Sequence, residues 1–257
     1  MAKKINGLMT KEIRIYGENA CLAVFKKRPG DIIQFFLTKE MLKKFGHITK
    51  YCAQNKKAYH LVTSEELEKM TKATHHEGMC MLVKKNAQMP LESYLASKPE
   101  SGLIIALENV ANPHNIGAIM RNAAHFGATG ILVSDLKTAE SASALRTSEG
   151  GSEYIHIFET KDFKKSLALL SKNKFQIVST SSHAKESLYD LKWEKKSVVL
   201  FGEEAMGLSR DLLNLGVSIS IPGTNHVESL NVSVASAVIL SDYYQKVKMN
   251  EINSRFK

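Results

Sequence analysis

Apolar and polar positions fall in alternating blocks along the chain, short β-type runs followed by stretches at helical spacing. In the first third, this pattern predicts a helix over 20–27 closed by Pro29-Gly30 and a strand over 32–37. A helix over 41–55 and strands over 58–62 and 78–83 follow. Ser64-Glu65-Glu66-Leu67 reads as a helix start with Ser64 as cap, and Leu67 stands where a full capping box needs an acid. Residues 86–101, with Pro90 and Pro99 around a short possible helix, read as a linker. Beyond them, strands over 103–107, 130–133, 155–158, 175–180, 198–201 and 217–221 are interleaved with helices. The helices are expected over 116–126, 142–150, 162–172 and 230–248. Such alternation predicts an α/β fold with a parallel sheet covered on both faces. The domain division expected is therefore 1–85, with a basic flexible tail over 1–11, then the linker, then 102–257.

Composition adds little to this frame: 257 residues, 44% apolar and 24% charged, are ordinary for a globular protein. No run approaches the roughly 18 uninterrupted apolar residues of a membrane span, and Met1-Ala2-Lys3-Lys4-Ile5-Asn6-Gly7 has no apolar stretch behind it. Cys21, Cys52 and Cys80 form no Cys-x-x-Cys pair, so reduced thiols and a cytoplasmic location are expected. Charge is more informative. Residues 1–100 hold 18 Lys and Arg against 10 Asp and Glu, a net +8 of the chain's +9. A basic first part beside a near-neutral second part points to one unit that holds a polyanion and one that does chemistry.

The candidate chemistry sits in three polar, glycine-bearing segments of the second part: 112–123, 201–209 and 221–233. Each follows an apolar run, and loops at the carboxyl ends of parallel strands can converge on one ligand site. Gly-x-Gly-x-x-Gly and the P-loop pattern are both absent. In the first segment, Asn115, Gly117 and Arg121 fall on the opening turns of a helix, and arginine offers planar donors suited to a phosphate. In the second, Gly202 and Gly207 bracket Glu203-Glu204-Ala205-Met206 and permit positive φ or close backbone approach. In the third, Ser229 can cap a helix in which Asn231 and Ser233, weak helix formers, are kept for specific partners. His60, His75 and His76 have no metal-ligand spacing, and no metal is expected.

Together these segments resemble the SpoU (TrmH-like) family of the SPOUT superfamily, S-adenosylmethionine-dependent RNA ribose 2′-O-methyltransferases. The likeness rests on Asn115-x-Gly117-x-x-x-Arg121-Asn122-Ala123, on Gly202-Glu203-Glu204-x-x-Gly207-Leu208, and on Ile221-Pro222 through Ser229-Leu230-Asn231-Val232-Ser233. Tyr16-Gly17-x-Asn19-Ala20 and Thr74-His75-His76-x-Gly78 resemble the family's N-terminal substrate-binding module of L30e-like fold. The resemblance implies a SPOUT domain with a deep trefoil knot, a homodimer, and an RNA partner. Ribosomal RNA, a guanosine of the large-subunit (23S) RNA, is favoured over transfer RNA. It implies Arg121, Asn115, Glu204, Ser229 and Asn231 as the catalytic set. S-adenosylmethionine would lie against Phe201, Gly202, Gly207, Ile221, Pro222, Leu230 and Asn231. The third motif departs from the family at Gly223 and Asn225, which bears on cofactor affinity. A guanidinium keeps its proton, so the role expected of Arg121 is to hold a phosphate and stabilise an oxyanion. The competing readings are a transfer-RNA methyltransferase, a non-catalytic RNA-binding protein on the same scaffold, and a small-molecule α/β enzyme with a nucleotide cofactor.

Overall fold

A computed structural model describes residues 12–224 and 226–249 of the chain. The expected tail at 1–11 lies outside the described residues. The chain divides into two compact units between residues 87 and 88.

The first unit runs β1 (Glu12–Tyr16), α1 (Glu18–Lys27), β2 (Ile32–Leu37), α2 (Leu42–Gln54), β3 (Ala58–Leu61), α3 (Ser64–Thr71) and β4 (Met79–Lys84). Its sheet has the order β1-β4-β2-β3. β4 pairs antiparallel with both β1 and β2, and β3 lies parallel to β2 at the edge. Ile15, Val24, Phe35, Ile48 and Met81 meet in its core. α2 is kinked at Phe45, whose φ of −115° and ψ of 19° are not helical. The cap of α3 is Thr63 rather than Ser64. Thr63 Oγ1 accepts from the Glu66 N–H at 3.3 Å, and the Glu66 carboxylate accepts from the Thr63 N–H at 2.8 Å. Shifting the box by one residue places an acid at its third position, which Ser64 with Leu67 could not do. All three cysteines are buried and none is in a disulfide. Burial pushes the Cys80 thiol up to about 12, which keeps it protonated and unreactive.

The second unit runs α4 (Leu91–Ala96), β5 (Gly102–Leu107), α5 (Pro113–His125), β6 (Gly130–Val133), α6 (Leu136–Ala139), α7 (Ala142–Thr147), β7 (His156–Glu159) and α8 (Phe163–Lys172). It continues with β8 (Gln176–Thr180), β9 (Glu186–Ser187), β10 (Lys196–Phe201), α9 (Arg210–Leu213), β11 (Val217–Ser220) and α10 (Val232–Tyr243), which ends in a π-helical turn over Tyr244–Lys248. The seven strands lie in the order β7-β6-β5-β10-β8-β11-β9. Every pairing in this sheet is parallel. Side chains of β5 alternate between two cores. Leu103, Ile105 and Leu107 pack with α5 and α10 on one face, and Ile104 and Ala106 pack with α4 and α8 on the other. Burial on both faces is why these strands read as continuous apolar runs.

The segment expected as a linker is shorter than 86–101. Leu91, Tyr94 and Leu95, at i, i+3 and i+4, are buried in the second unit's core, so α4 belongs to that unit. At the far end, Asp242 accepts from Trp193 Nε1 at 2.7 Å and pairs with Lys246 at 3.1 Å, and the Tyr243 hydroxyl donates to the Lys195 carbonyl at 2.8 Å. These bonds fasten the end of α10 to the 188–195 loop. No helix among the described residues is long and apolar enough to cross a membrane.

Candidate active site

The chain enters the sheet at its middle, in β5, builds outward through β6 and β7, and then crosses to the other side. The switch point lies between β5 and the strands beyond it, where an open parallel sheet leaves a crevice. β10 fills the place beside β5, with Leu107 opposite Phe201. The two strand ends are tied together. The Glu108 N–H donates to the Phe201 carbonyl at 2.9 Å, and the Glu108 carboxylate accepts from the Ser209 N–H at 2.8 Å.

The loop after β10 folds back on itself. Gly207 N–H donates to the Glu203 carbonyl at 3.0 Å, and Gly207 has φ +67°. A Cβ on Gly202 would stand 2.0 Å from the Gly207 carbonyl carbon and 2.3 Å from the Leu208 nitrogen. Those are backbone atoms, so the glycine at 202 is required by the loop's own crossing rather than by a ligand's approach. The outcome is a tight turn that presents Glu204, Ala205 and Met206 to solvent.

Three segments distant in sequence are joined by one hydrogen-bonded chain. Asn231 caps α10, its Oδ1 accepting from the Ser233 N–H at 2.9 Å and from the Ser233 hydroxyl at 2.6 Å. Its Nδ2 donates to Asn115 Oδ1 at 3.2 Å, and Asn115 Nδ2 donates to the Glu204 carboxylate. Each amide accepts on one side and donates on the other, so the carboxylate fixes the direction of the whole chain. Asn122, one i+7 step from Asn115, shares that face of α5. Its Nδ2 donates to the Ser233 carbonyl at 2.9 Å and contacts Ser236 Oγ at 3.2 Å. α5 is thereby pinned to the first turns of α10 at two points.

Arg121 lies about 100° round the helix from Asn122 and is exposed. Among the described residues it enters no hydrogen bond or ion pair. It is not part of the hydrogen-bonded chain of Asn115, Glu204 and Asn231. His114, seven residues before it, shares its exposed stripe. The Thr147 hydroxyl donates to the Ser143 carbonyl at 2.9 Å, so its contact with His114 Nδ1 at 3.2 Å has the imidazole as donor. His114 Nε2 then faces the Ser143 hydroxyl at 3.2 Å.

Other expected residues fall differently. Ser229 is not the cap; α10 begins at Val232 and Asn231 takes that place, because the Asn231 oxygen reaches the N–H two residues on. Ser229 is exposed and joins none of the bonds above. Phe201 is 2% exposed, and its carbonyl accepts from Glu108, so it shapes the strand end. Ile221 packs partly against the core, whereas Pro222 and Leu230 are exposed. Gly223 faces open space, and Asn225 lies outside the described residues. Asn122 and His114 are not among the expected site residues, and Ser233, expected to have a specific partner, bonds Asn231 and Asn122. The i+7 spacing of Asn115 and Asn122 is the signal that could have found Asn122.

Gly117 serves packing. A Cβ there would stand 2.5 Å from the Ala144 carbonyl oxygen and 2.6 Å from Thr147 Cβ. Gly117→Ala is therefore expected to destabilise the chain by about 1–3 kcal/mol, because α7 backbone has to move. Thermal unfolding checks this, with Gly30→Ala, where nothing lies within 4 Å, as a neutral control. Equal melting points for the two variants would contradict the close-approach role.

Fold and candidate site together define the class: an α/β protein with three polar segments joined beside a sheet switch point and no phosphate loop. Comparison with known proteins narrows this class. Residues 102–241 match the SpoU rRNA Methylase family, and residues 14–89 match RNA 2′-O ribose methyltransferase substrate binding. The chain belongs to the SpoU family of RNA 2′-O-ribose methyltransferases. It is 36% identical over 241 residues to the Escherichia coli O157:H7 protein named "Uncharacterized tRNA/rRNA methyltransferase YfiF", covering 93% of this chain and 69% of that one. Its fold is similar to that of an AdoMet-bound rRNA methyltransferase from Sinorhizobium meliloti, with TM-score 0.74 and 20% identity over 93% of this chain and 88% of the other. The A. aeolicus TrmH/SpoU tRNA modifying enzyme matches with TM-score 0.55 and 24% identity over 64% of this chain and 87% of its own.

Proposed function

We propose that the chain transfers a methyl group from S-adenosylmethionine to a ribose 2′-hydroxyl of ribosomal RNA, at a guanosine of the large-subunit RNA. The observation that carries this reading is the Glu204–Asn115–Asn231 chain, which joins all three polar segments into one site. Ribosomal RNA is favoured by extent. The likeness to the Sinorhizobium rRNA enzyme spans 93% of the chain, whereas the likeness to the tRNA-modifying enzyme spans 64%.

The residues present fit the cofactor. Beyond β10 and β11 the chain leaves regular structure, so backbone donors and acceptors there are not taken up by the sheet. Met206 is 81% exposed and Leu230 45%, apolar surface suited to the uncharged faces of an adenosine and a thioether chain. Gly202, Gly207, Ile221 and Pro222 would contribute backbone, Phe201 would hold the strand end, and Asn231 would present its amide. The bound cofactor supplies an electrophilic methyl carried on a sulfonium.

The protein's part is placement and charge. Arg121, exposed and unbonded, grips the phosphate beside the target ribose and stabilises the alkoxide as the hydroxyl loses its proton. The guanidinium keeps its own protons, so phosphate or water takes the one released. Asn115, Asn231 and Glu204 fix the wall against which ribose and cofactor are aligned, and Ser229 adds a polar contact at its rim. A trefoil knot within 102–257 and a homodimer belong to the same reading. Val227 and Val234, 70% and 49% exposed around the start of α10, support an apolar contact between copies. The first unit holds the RNA.

The test is tritiated-methyl transfer from S-adenosylmethionine to separated ribosomal and transfer RNA from cells lacking the protein. Label confined to large-subunit RNA is expected. Label confined to transfer RNA would sink the ribosomal assignment. No label together with no cofactor binding would favour a non-catalytic RNA-binding protein.

A further inference from the structure

Charge in the first unit is concentrated rather than spread. Residues 39–57 hold six lysines against Glu40 alone, a net +5. Residues 12–38 hold four Lys and Arg against three acids, and residues 58–85 hold four lysines against four glutamates. α2 lies at the centre of the basic segment. Some of its neighbours are tied up by the fold. Lys44 pairs with Glu18, and Lys57 Nζ donates to the Gly30 and Ile32 carbonyls at 2.8 and 2.5 Å. Lys43 and Lys50 are exposed and enter no hydrogen bond or ion pair among the described residues.

Past the kink at Phe45, His47, Lys50, Tyr51 and Gln54 recur at i, i+3, i+4 and i+7, which puts them on one face. Phe25 of α1 meets two of them edge-on, His47 at 5.6 Å and Tyr51 at 5.3 Å between ring centroids. Free cations beside half-exposed rings match the two parts of an unpaired RNA segment, its phosphates and its bases. The rival surface is the edge strand β3, where Tyr59 and Leu61 are 44% and 50% exposed. Its surroundings have no net charge, and α3 beside it in sequence carries Glu65, Glu66 and Glu68. A polyanion is not drawn there.

We infer that the α2 face built on His47, Lys50 and Tyr51, with Phe25 behind it and Lys43 on the turn before the kink, is where this chain grips its RNA substrate. The inference rests on the proposal that the first unit holds RNA, and it names the surface. Lysines in contact with phosphate release counterions, so each contributes roughly 0.7–0.9 to the slope of log K against log salt.

The experiment compares the full chain with Lys43→Gln/Lys50→Gln, and with Lys69→Gln/Lys72→Gln on the α3 side, for binding to deproteinised large-subunit rRNA across a salt series. Both double variants lose the same charge. The α2 pair is expected to lower the slope by about 1.4–1.8 and to weaken binding about 10-fold or more near 0.1 M salt. The α3 pair is expected to leave both nearly unchanged. S-adenosylmethionine binding and melting temperature should match wild type in each. Equal losses for the two pairs would reduce α2 to one part of a diffuse field and overturn the assignment. An unchanged slope in the α2 pair, with wild type binding well, would overturn it directly. If wild type binds only transfer RNA, the ribosomal proposal fails and the same comparison on that RNA decides α2. Wild type binding neither RNA overturns both.

Discussion

Arg121→Lys is expected to lower methyl-transfer turnover about 10²–10³-fold, the range found when one donor to a developing oxyanion is removed. The positive charge survives this change. What is lost is the planar fork, which can hold a phosphate with two parallel bonds while a third N–H faces the alkoxide. Because Arg121 is exposed on α5 and bonded to nothing among the described residues, its replacement should leave the fold as it is. The measurement is single-turnover transfer at saturating RNA, with S-adenosylmethionine affinity and melting temperature alongside. Turnover falling while both companions hold places the effect in the transition state. A lysine variant with near-normal turnover would show that charge alone suffices, and the bidentate account would be wrong.

The second large effect is expected at the cap of α10. Asn231→Asp preserves the oxygen that accepts from Ser233, and aspartate caps a helix as well as asparagine does. It removes the Nδ2 donor to Asn115 and sets a carboxylate against the Asn115 oxygen. Asn115 must then turn or move, and Glu204 loses the bond that orients it. Stability is expected to stay within about 1 kcal/mol of wild type, and turnover to fall about 10–100-fold, the scale of a displacement near 1 Å in a positioning group. Asn231→Ala should show the same loss of turnover plus about 1 kcal/mol of stability, because the cap goes as well. Thermal unfolding and transfer assays run together separate the two contributions. Full activity in the aspartate variant would mean that the hydrogen-bonded chain has no part in the reaction.

Much of this could be read before any coordinates. β2 and β6 fall at the residues expected, because Ile32–Leu37 and Gly130–Val133 are apolar runs with clear breaks on either side. The short helix expected between Pro90 and Pro99 is α4, but the break signals on either side make it read as linker, and three apolar residues in a turn and a half do not show which core they enter. α6 and α9 have four residues each, too few to show a period. In the site, Asn115, Glu204 and Asn231 stood out because polar residues beside glycines after apolar runs are few. Asn122 did not. Its bonds to Ser233 and Ser236 span 111 and 114 positions, and no local pattern records such a pairing. Ser229 and Asn231 are both good caps two residues apart, and only the path of the backbone decides between them. Gly117 and Gly202 were legible as special, but each proved to meet the protein's own backbone.

The place of β10 has a consequence for synthesis. β5 is complete by Leu107, yet the strand that covers its inner edge ends at Phe201, about 90 residues later. At roughly 5–20 residues per second, the ribosome leaves the Gly-Leu-Ile-Ile-Ala-Leu edge of β5 unpaired for about 5–20 s. For that interval the nascent chain offers an apolar, open strand, the form most prone to pair with a neighbouring chain. β10 thus closes two seams of the sheet at once, against β5 and against β8, and slow translation or a pause before residue 201 prolongs the period in which both edges stand open.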